Sequence, residues 1–231
     1  MDFPQAGGHK LMTKISERIV IKPTTASEVS FYVKTNSELQ TFLPTVYMSC
    51  PLTYVISMFS PTKLIKIIEK SYTDVLMMEN ITSFQDEFIL DIKLGKIHWT
   101  SQASRDIIND HLQRNKGSLT VTHHFRLDGA FIRNVLSLSK EDCRKFNIDQ
   151  LNRVLSCLTN STKILLIDWI DQLVNTLIKS NVGIYGPSIL ISGSNKSPRF
   201  TLIDFAVNDS EPNSDLIEGL RSFQKLLASQ K

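Results

Sequence analysis

An acid and a base two residues apart, inside an otherwise apolar run, are the residues of this chain best placed to do chemistry: Ile89-Leu90-Asp91-Ile92-Lys93-Leu94-Gly95. Strand side chains alternate faces, so Asp91 and Lys93 would point one way while Ile92 and Leu94 face the other. An unpaired buried charge costs several kcal/mol. A same-face acid and base in a buried strand must therefore be paired or hold a ligand.

Other candidates lie on either side of this run. Lys22, in a strand-like stretch, is followed six residues later by Glu28 in a helix-like one. Such a pair can hold nucleotide phosphates, as in kinases, or can be two solvated surface charges. Ile203-Asp204-Phe205 puts an acid at the end of an apolar strand, where it could bind magnesium or simply cap the strand before a turn. Magnesium prefers oxygen ligands and needs only one or two carboxylates when phosphate oxygens complete its shell. Gly7-Gly8-His9 could be a loop over phosphates, but it lacks the Walker spacing and reads equally as an ordinary turn. Adjacent His123 and His124 would face opposite sides of a strand with no Cys or His at ligand spacing, which argues against a metal. No Gly-x-Ser-x-Gly elbow is present, so acyl transfer is unsupported.

The elements that must position these residues are legible from periodicity and turn signals. Residues 17–22 read as a strand, and Pro23-Thr24-Thr25 opens a helix through Glu28, Phe31 and Tyr32. Runs 52–58 and 74–79 read as strands around an amphipathic lysine-rich stretch, 62–70. After the Asp-Lys run, 101–114 has helical character, Gly117 can stop it, and 118–134 alternates well enough for one or two strands. Ser139 with Asp142 suggests a capping box before a helical region to about 158. The strongest helix, 162–179, is apolar over more than half its circumference and should be buried. Residues 187–191 and 199–205 flank Gly-Ser-Asn-Lys-Ser-Pro, a hairpin pattern with a six-residue loop, and a last amphipathic helix covers about 214–227.

At 231 residues, 42% hydrophobic and 21% charged, the composition is that of a soluble globular protein able to bury a substantial core. A net charge of +3 hints only weakly at an anionic partner, and no basic tail calls for nucleic acid. The start of the chain does not read as a secretory signal, and no apolar run is long enough to span a bilayer. Cys50, Cys143 and Cys157 are odd in number and not at metal-ligand spacing, as expected of free thiols in a reducing compartment. The sequons at Asn80, Asn160 and Asn208 are then incidental.

The order of the motifs adds to their individual content. Gln5-Ala6-Gly7-Gly8-His9, Lys22-Pro23 with Glu28-Val29-Ser30-Phe31-Tyr32, Phe42-Leu43-Pro44-Thr45-Val46-Tyr47 and Met78-Glu79-Asn80-Ile81-Thr82 come first. Leu90-Asp91-Ile92-Lys93-Leu94-Gly95, Phe125-Arg126-Leu127-Asp128-Gly129, Ser188-Ile189-Leu190, Ile203-Asp204-Phe205-Ala206 and Asp215 with Gly219-Leu220 follow. This order resembles the inositol polyphosphate kinase family, most closely its fungal multikinase type, over nearly the whole chain. Asp-x-Lys-x-Gly with a downstream Ile-Asp-Phe-Ala is the specific part.

The resemblance implies a two-lobed, kinase-like α+β fold. An N-terminal antiparallel-sheet lobe (1–80) would bind ATP, and a larger α+β lobe (81–231) would be catalytic, with a short helical insert (98–117) for the inositol phosphate. It further implies that Glu79 and Ile81 offer backbone groups to adenine, that Lys22 holds ATP phosphates and that Asp204 binds Mg2+. Asp91 would contact the ribose or the attacking hydroxyl, and Lys93 would bridge substrate phosphate and transferred phosphoryl. Arg105, Arg114 and Lys116 of the insert are the substrate-side cations. Phosphoryl transfer is mainly positioning and charge neutralisation, which a fixed lysine and a metal ion can supply.

Two positions depart from the family pattern: Glu87 stands where it has proline, and Val207 where it has histidine. The insert helix carries Ile107 where relatives have a cation, with Asp106 and Asp110 close by. The expected activity is ATP- and magnesium-dependent phosphorylation of inositol trisphosphate or tetrakisphosphate. The alternatives are a pyrophosphate-forming inositol hexakisphosphate kinase and a non-catalytic kinase-like scaffold. A monomer in the cytoplasm or nucleus, without membrane or nucleic-acid partners, is expected.

Overall fold

The computed structural model describes residues 11–180, 182–209 and 213–230. The Gly7-Gly8-His9 loop lies outside them.

The first sheet is built from β1 (Thr13–Lys14), β2 (Ile19–Thr24), β3 (Val46–Pro51) and β4 (Asp74–Glu79), antiparallel in the order β1-β2-β4-β3. Helix α1 (Ala26–Lys34) follows β2 directly, with Thr25 as N-cap accepting from the Glu28 amide, and a short α2 (Ser37–Gln40) comes next. The 52–58 run is not a strand. It forms two 3-10 turns, Leu52–Tyr54 and Ile56–Met58, because Leu52 and Phe59 are buried with Ile67 of α3 (Pro61–Glu69) and, of the residues between them, only Val55 also packs on that cluster. A short apolar run carries no periodicity that separates these outcomes.

The second sheet contains β5 (Phe88–Leu94), β6 (Phe125–Ile132), β7 (Leu136–Leu138), and the hairpin β9 (Ser188–Ser194) and β10 (Ser197–Ile203), in the order β10-β9-β5-β6-β7. Between β5 and β6 lie α4 (Arg105–Asn115) and α5 (Leu119–His123). Residues 119–123 are thus helical rather than extended, and His124 caps α5 at φ 59°. Ser139 and Asp142 form the expected capping box at α6 (Lys140–Arg144), which leads to α7 (Ile148–Leu155) and the long α8 (Asn160–Ser180). A two-stranded ribbon, β8 (Gly183–Ile184) with β11 (Asn208–Asp209), and α9 (Ser214–Ala228) complete the chain.

The β9–β10 loop is shorter than its sequence suggests. Pairing runs on through Gly193↔Pro198 and Ser194↔Ser197, leaving only Asn195-Lys196 as the turn. Gly193 sits at φ 107°, which side chains rarely adopt. Asn195 ties the turn to α8, accepting from the Thr159 amide at 2.9 Å and donating to Cys157 O at 2.9 Å.

Phe88, Leu90, Ile92 and Leu94 of β5 lie in the main core with Leu166, Ile170 and Leu173 of α8 and Leu216, Leu220 and Phe223 of α9. Each of these fully buried side chains contributes about 2 kcal/mol of transfer free energy. That core also takes in Phe31, Tyr32, Leu39, Phe42, Leu76 and Met78, so α1, α2 and β4 of the first sheet are seated on the second. The opposite face of β5, bearing Ile89, Asp91 and Lys93, lines the cleft. No helix among the described residues is long and apolar enough to cross a membrane.

Candidate active site

A cavity of about 1490 Å³ opens between the sheets. Ten Lys and Arg residues line it against five Asp and Glu. The cleft therefore carries more positive charge than the chain's net +3 would suggest, and its chemistry suits a polyanion.

One linked set of charges crosses the cavity. Lys22 Nζ of β2 lies 2.7 Å from Glu28 Oε1 and 3.2 Å from Asp204 Oδ1, and Lys93 Nζ of β5 lies 3.7 Å from Asp204 Oδ2. Glu28 is buried and holds more than the lysine: it accepts from Thr24 Oγ1 and, at 3.2 Å, from the Phe205 amide. Asp204 has φ 70°, an uncommon conformation for a non-glycine residue. The next residue holds it there, since the Phe205 ring stacks on Phe31 at 4.5 Å and meets Tyr32 edge-on at 5.4 Å. Lys22 and Glu28 are thus no surface pair, and a second lobe is needed to see why. Burial opposes the Lys22 charge, but Glu28 and Asp204 outweigh it and drive its pKa far upward.

Asp91 is buried, and its Oδ1 meets no hydrogen-bond partner among the described residues. The Ser188 hydroxyl beside it favours the charged form, yet its own Oγ stands equally outside hydrogen-bond geometry. Burial first, then repulsion from Asp128 and Asp204, push the Asp91 pKa up to about 7 against the attraction of Lys93.

The far wall comes from β6 and α6. Arg126 is opposite Lys93 in register, donates through Nε to Asp128 at 2.9 Å, and reaches Asn115 and Thr120 at 3.0 and 2.8 Å. Lys140 Nζ meets the other Asp128 oxygen at 2.6 Å. Burial opposes the Asp128 charge, but Arg126, Lys140 and Lys93 more than compensate and lower its pKa to about 2. A bulge creates this wall. Asp91 pairs with Gly129 but Ile92 with Leu127, so Asp128 is an extra residue in β6. Arg126 and Asp128 face the cleft before it, and Phe131 and Arg133 after it, a switch of parity that an unbroken alternation forbids.

The loop leaving β5 is clasped by α9. Asp215 Oδ2 accepts from the Lys96 and Ile97 amides at 2.6 and 2.8 Å, and Oδ1 meets His124 Nδ1 at 2.8 Å. Gly219 lets the helix approach, for a Cβ there would stand 2.5 Å from His124 O and 2.9 Å from Gly95 N. His124, Asp215 and Glu218 are close enough to gather a cation, but both Asp215 oxygens already accept hydrogen bonds, so the trio is a structural clasp. His98 turns back into the same loop, its Nε2 donating to Gly95 O at 2.9 Å, and burial with Lys93 and Arg126 nearby lowers its pKa to about 3.

Of the residues singled out in sequence, Lys22, Glu79, Ile81, Asp91, Lys93, Arg114 and Asp204 line the cavity together. The Glu79 amide donates to Thr45 O at 2.8 Å, which leaves its carbonyl as the group it could offer a ligand. Arg114 is tied to Asp110 on its own helix, Nε to Oδ1 at 2.9 Å. Arg105 and Lys116 are exposed and lie outside the lining, and so does Glu87, whereas Val207 is part of it. Lys140, Arg144, His98 and His111 were not singled out. The signal for Lys140 and Arg144 was their spacing of one helical turn after a capping box.

A strand lysine bonded to a helix glutamate, an aspartate closing a hairpin and a basic cleft between two sheets define a kinase-like phosphotransferase. The chain belongs to the inositol polyphosphate kinase family, whose model matches residues 75–228. It is an enzyme that uses ATP to phosphorylate inositol polyphosphates. Its two-lobed fold is that of inositol phosphate multikinase Ipk2 of S. cerevisiae, solved with ADP and Mn2+: 18% identity over 92% of this chain and 98% of that one, with a TM-score of 0.72. A second solved inositol phosphate multikinase, also 18% identical, covers 87% of this chain and 98% of its own, with a TM-score of 0.66. No curated protein sequence matches.

Proposed function

We propose that the chain transfers the γ-phosphoryl of Mg2+-ATP to a hydroxyl of inositol trisphosphate or tetrakisphosphate, acting as a monomer. One observation carries this reading: Asp204 lies between Lys22 of one sheet and Lys93 of the other, so nucleotide phosphates entering there meet cations from both sides.

The donor set suits a hard divalent cation. The Asp204 carboxylate is 40% exposed toward the cleft, and the partnerless Asp91 Oδ1 lies near enough to interact with it. The yeast multikinase was solved with Mn2+, which supports the same use here, with Mg2+ as the ion. Asp204 would hold the ion, which neutralises charge on the ATP phosphates when bound.

Lys22 steadies the phosphates, and Glu28 keeps that lysine extended. The apolar floor of Ile81, Ile89, Leu190 and Ile203 suits an adenine ring, with the Glu79 carbonyl and the Ile81 amide as its edge contacts. Lys93 touches the phosphoryl in flight and a substrate phosphate, while Asp91 orients the attacking hydroxyl and accepts its proton once ionised. Arg126, Lys140 and Arg144 supply more positive charge to the acceptor wall than the insert does, since Arg105 and Lys116 are not part of the cavity lining. The division at 80/81, with 98–117 as insert, agrees with the first sheet ending at Glu79 and α4 lying within 98–117.

The test is direct. Purified protein with Mg2+ and ATP should convert inositol trisphosphate or tetrakisphosphate in a panel of inositol phosphates, and Lys93→Ala should abolish it. Conversion of inositol hexakisphosphate alone, or equal inertness of both proteins, rejects the proposal.

A further inference from the structure

His111 lies on α4, lines the cavity and is half-buried. Its ring meets His98 edge-on with centroids 5.8 Å apart and Trp99 at 5.8 Å and 43°. The strongest charges acting on it come from three elements: Lys93 of β5, Arg126 of β6, and Lys140 and Arg144 of α6. All four are cations, with Asp128 of β6 bridging Arg126 and Lys140. On its own helix the neighbouring Arg114 is tied to Asp110 and adds no free acid. His98, on the loop after β5, is neutral and committed to Gly95 O.

Beside four cations, two of which share Asp128, and with no carboxylate hydrogen-bonded to it among the described residues, the imidazole stays uncharged in the empty cleft, in keeping with a pKa held low by burial and by those charges. Nothing in the fold needs it there for hydrogen bonding, since no protein group among the described residues bonds its ring nitrogens. Its surroundings change sign when a ligand with several phosphates settles between these cations. Arg144 Nε, buried and without a hydrogen-bond partner among the described residues, marks the same wall as awaiting an acceptor.

We propose that His111 is a proton-coupled substrate contact: neutral in the empty site, it takes up a proton and binds phosphate when a polyanionic inositol phosphate enters. This rests on the proposed acceptor wall and deepens it, because substrates bearing more phosphate against this wall gain more from the added charge. By linkage, a ligand that raises a group's proton affinity binds more tightly as pH falls. Affinity of the wild-type protein should therefore weaken about tenfold more between pH 6 and pH 8 than that of a variant without the imidazole.

The experiment is calorimetric titration of the full chain with inositol trisphosphate, and separately with inositol hexakisphosphate as a higher-charge probe. Each is run near pH 7 in two buffers of different ionisation enthalpy. Wild type should take up protons, and His111→Gln should reduce that uptake by roughly half a proton or more per site. Protonation of the ligand itself is common to both proteins and drops out of the difference. Asp91 is another cleft group that gains protons near this pH, so the comparison is repeated in the Asp91→Asn background. His111→Lys, always charged, should bind at pH 8 more tightly than wild type with no uptake at this position, which a purely structural role would not produce. Binding with unchanged uptake in His111→Gln overturns this proposal alone. Absence of binding by any inositol phosphate overturns both it and the assigned acceptor wall.

Discussion

The two walls of the cleft handle charge differently. On the nucleotide side Lys22, Glu28, Asp204 and Lys93 form a linked set with separations of 2.7 to 3.7 Å, pinned by the Phe205 ring stack. These groups are held in place before ligand arrives, which is what electrostatic catalysis requires. On the proposed acceptor side one carboxylate, Asp128, serves both Arg126 and Lys140, while Arg144 Nε and the His111 ring nitrogens have no hydrogen-bond partner among the described residues. The first wall is fixed in one geometry, which suits the proposed phosphoryl transfer. The second holds surplus positive charge that different patterns of phosphate can satisfy.

The largest test of this contrast is Lys93→Ala, which removes the lysine closing the linked set. It should lower kcat by about 10²–10³-fold with the fold retained in circular dichroism. A variant that kept most of its turnover would dissolve the distinction. Glu28→Ala comes next: it leaves the Lys22 ammonium and the Phe205 amide without their buried acceptor. About 3 kcal/mol of stability should be lost in urea titration, together with tight ATP binding. Loss of neither would mean that the pinning is incidental.

Asp91 gives a pH test of how closely the walls communicate. Its pKa is raised to about 7 in the folded chain, so between about pH 4 and 7 the folded state holds a proton that the unfolded chain has released. Its contribution is present at low pH and lost as pH rises through that window. Asp91→Asn should remove this loss, making the ligand-free variant increasingly more stable than wild type from pH 4 to 8 in thermal melts. The kcat/KM of wild type should rise through about pH 7 as the carboxylate ionises, a limb missing from the variant. A flat stability difference would place Asp91 outside the proposed electrostatics. The smallest effects belong to Arg105→Ala and Lys116→Ala, exposed and outside the cavity lining. Each should change KM for inositol phosphate by less than about twofold, and a tenfold rise would return the insert to the acceptor site.

Much of this was readable without coordinates. Period-two alternation in 88–94 correctly put Asp91 and Lys93 on one face, because β5 buries its other face against α8 and α9. The capping box at Ser139 and the long apolar helix were equally local facts. Two of the differences share one cause. Residues 52–58 and 119–123 are short segments whose conformation is chosen by what they pack against, namely α3 for the first and the α9 clasp beside His124 for the second. The β9–β10 turn was drawn too long because Gly193 at positive φ lets the ladder continue where glycine and serine suggest a loop.

The sequence by itself determined the residues of the proposed nucleotide wall. Its residues stand in motifs whose order resembled one family, and that family is the one to which the chain belongs. Only the tertiary structure decided the acceptor wall. Whether Arg126, Asp128 and Phe131 all face the cleft depends on one extra residue in β6, and periodicity cannot count a bulge that exists only relative to the partner strand. The gathering of Lys93, Arg126, Lys140 and Arg144 around His111 of α4 likewise brings residues of three other elements to that helix, a juxtaposition no local pattern encodes.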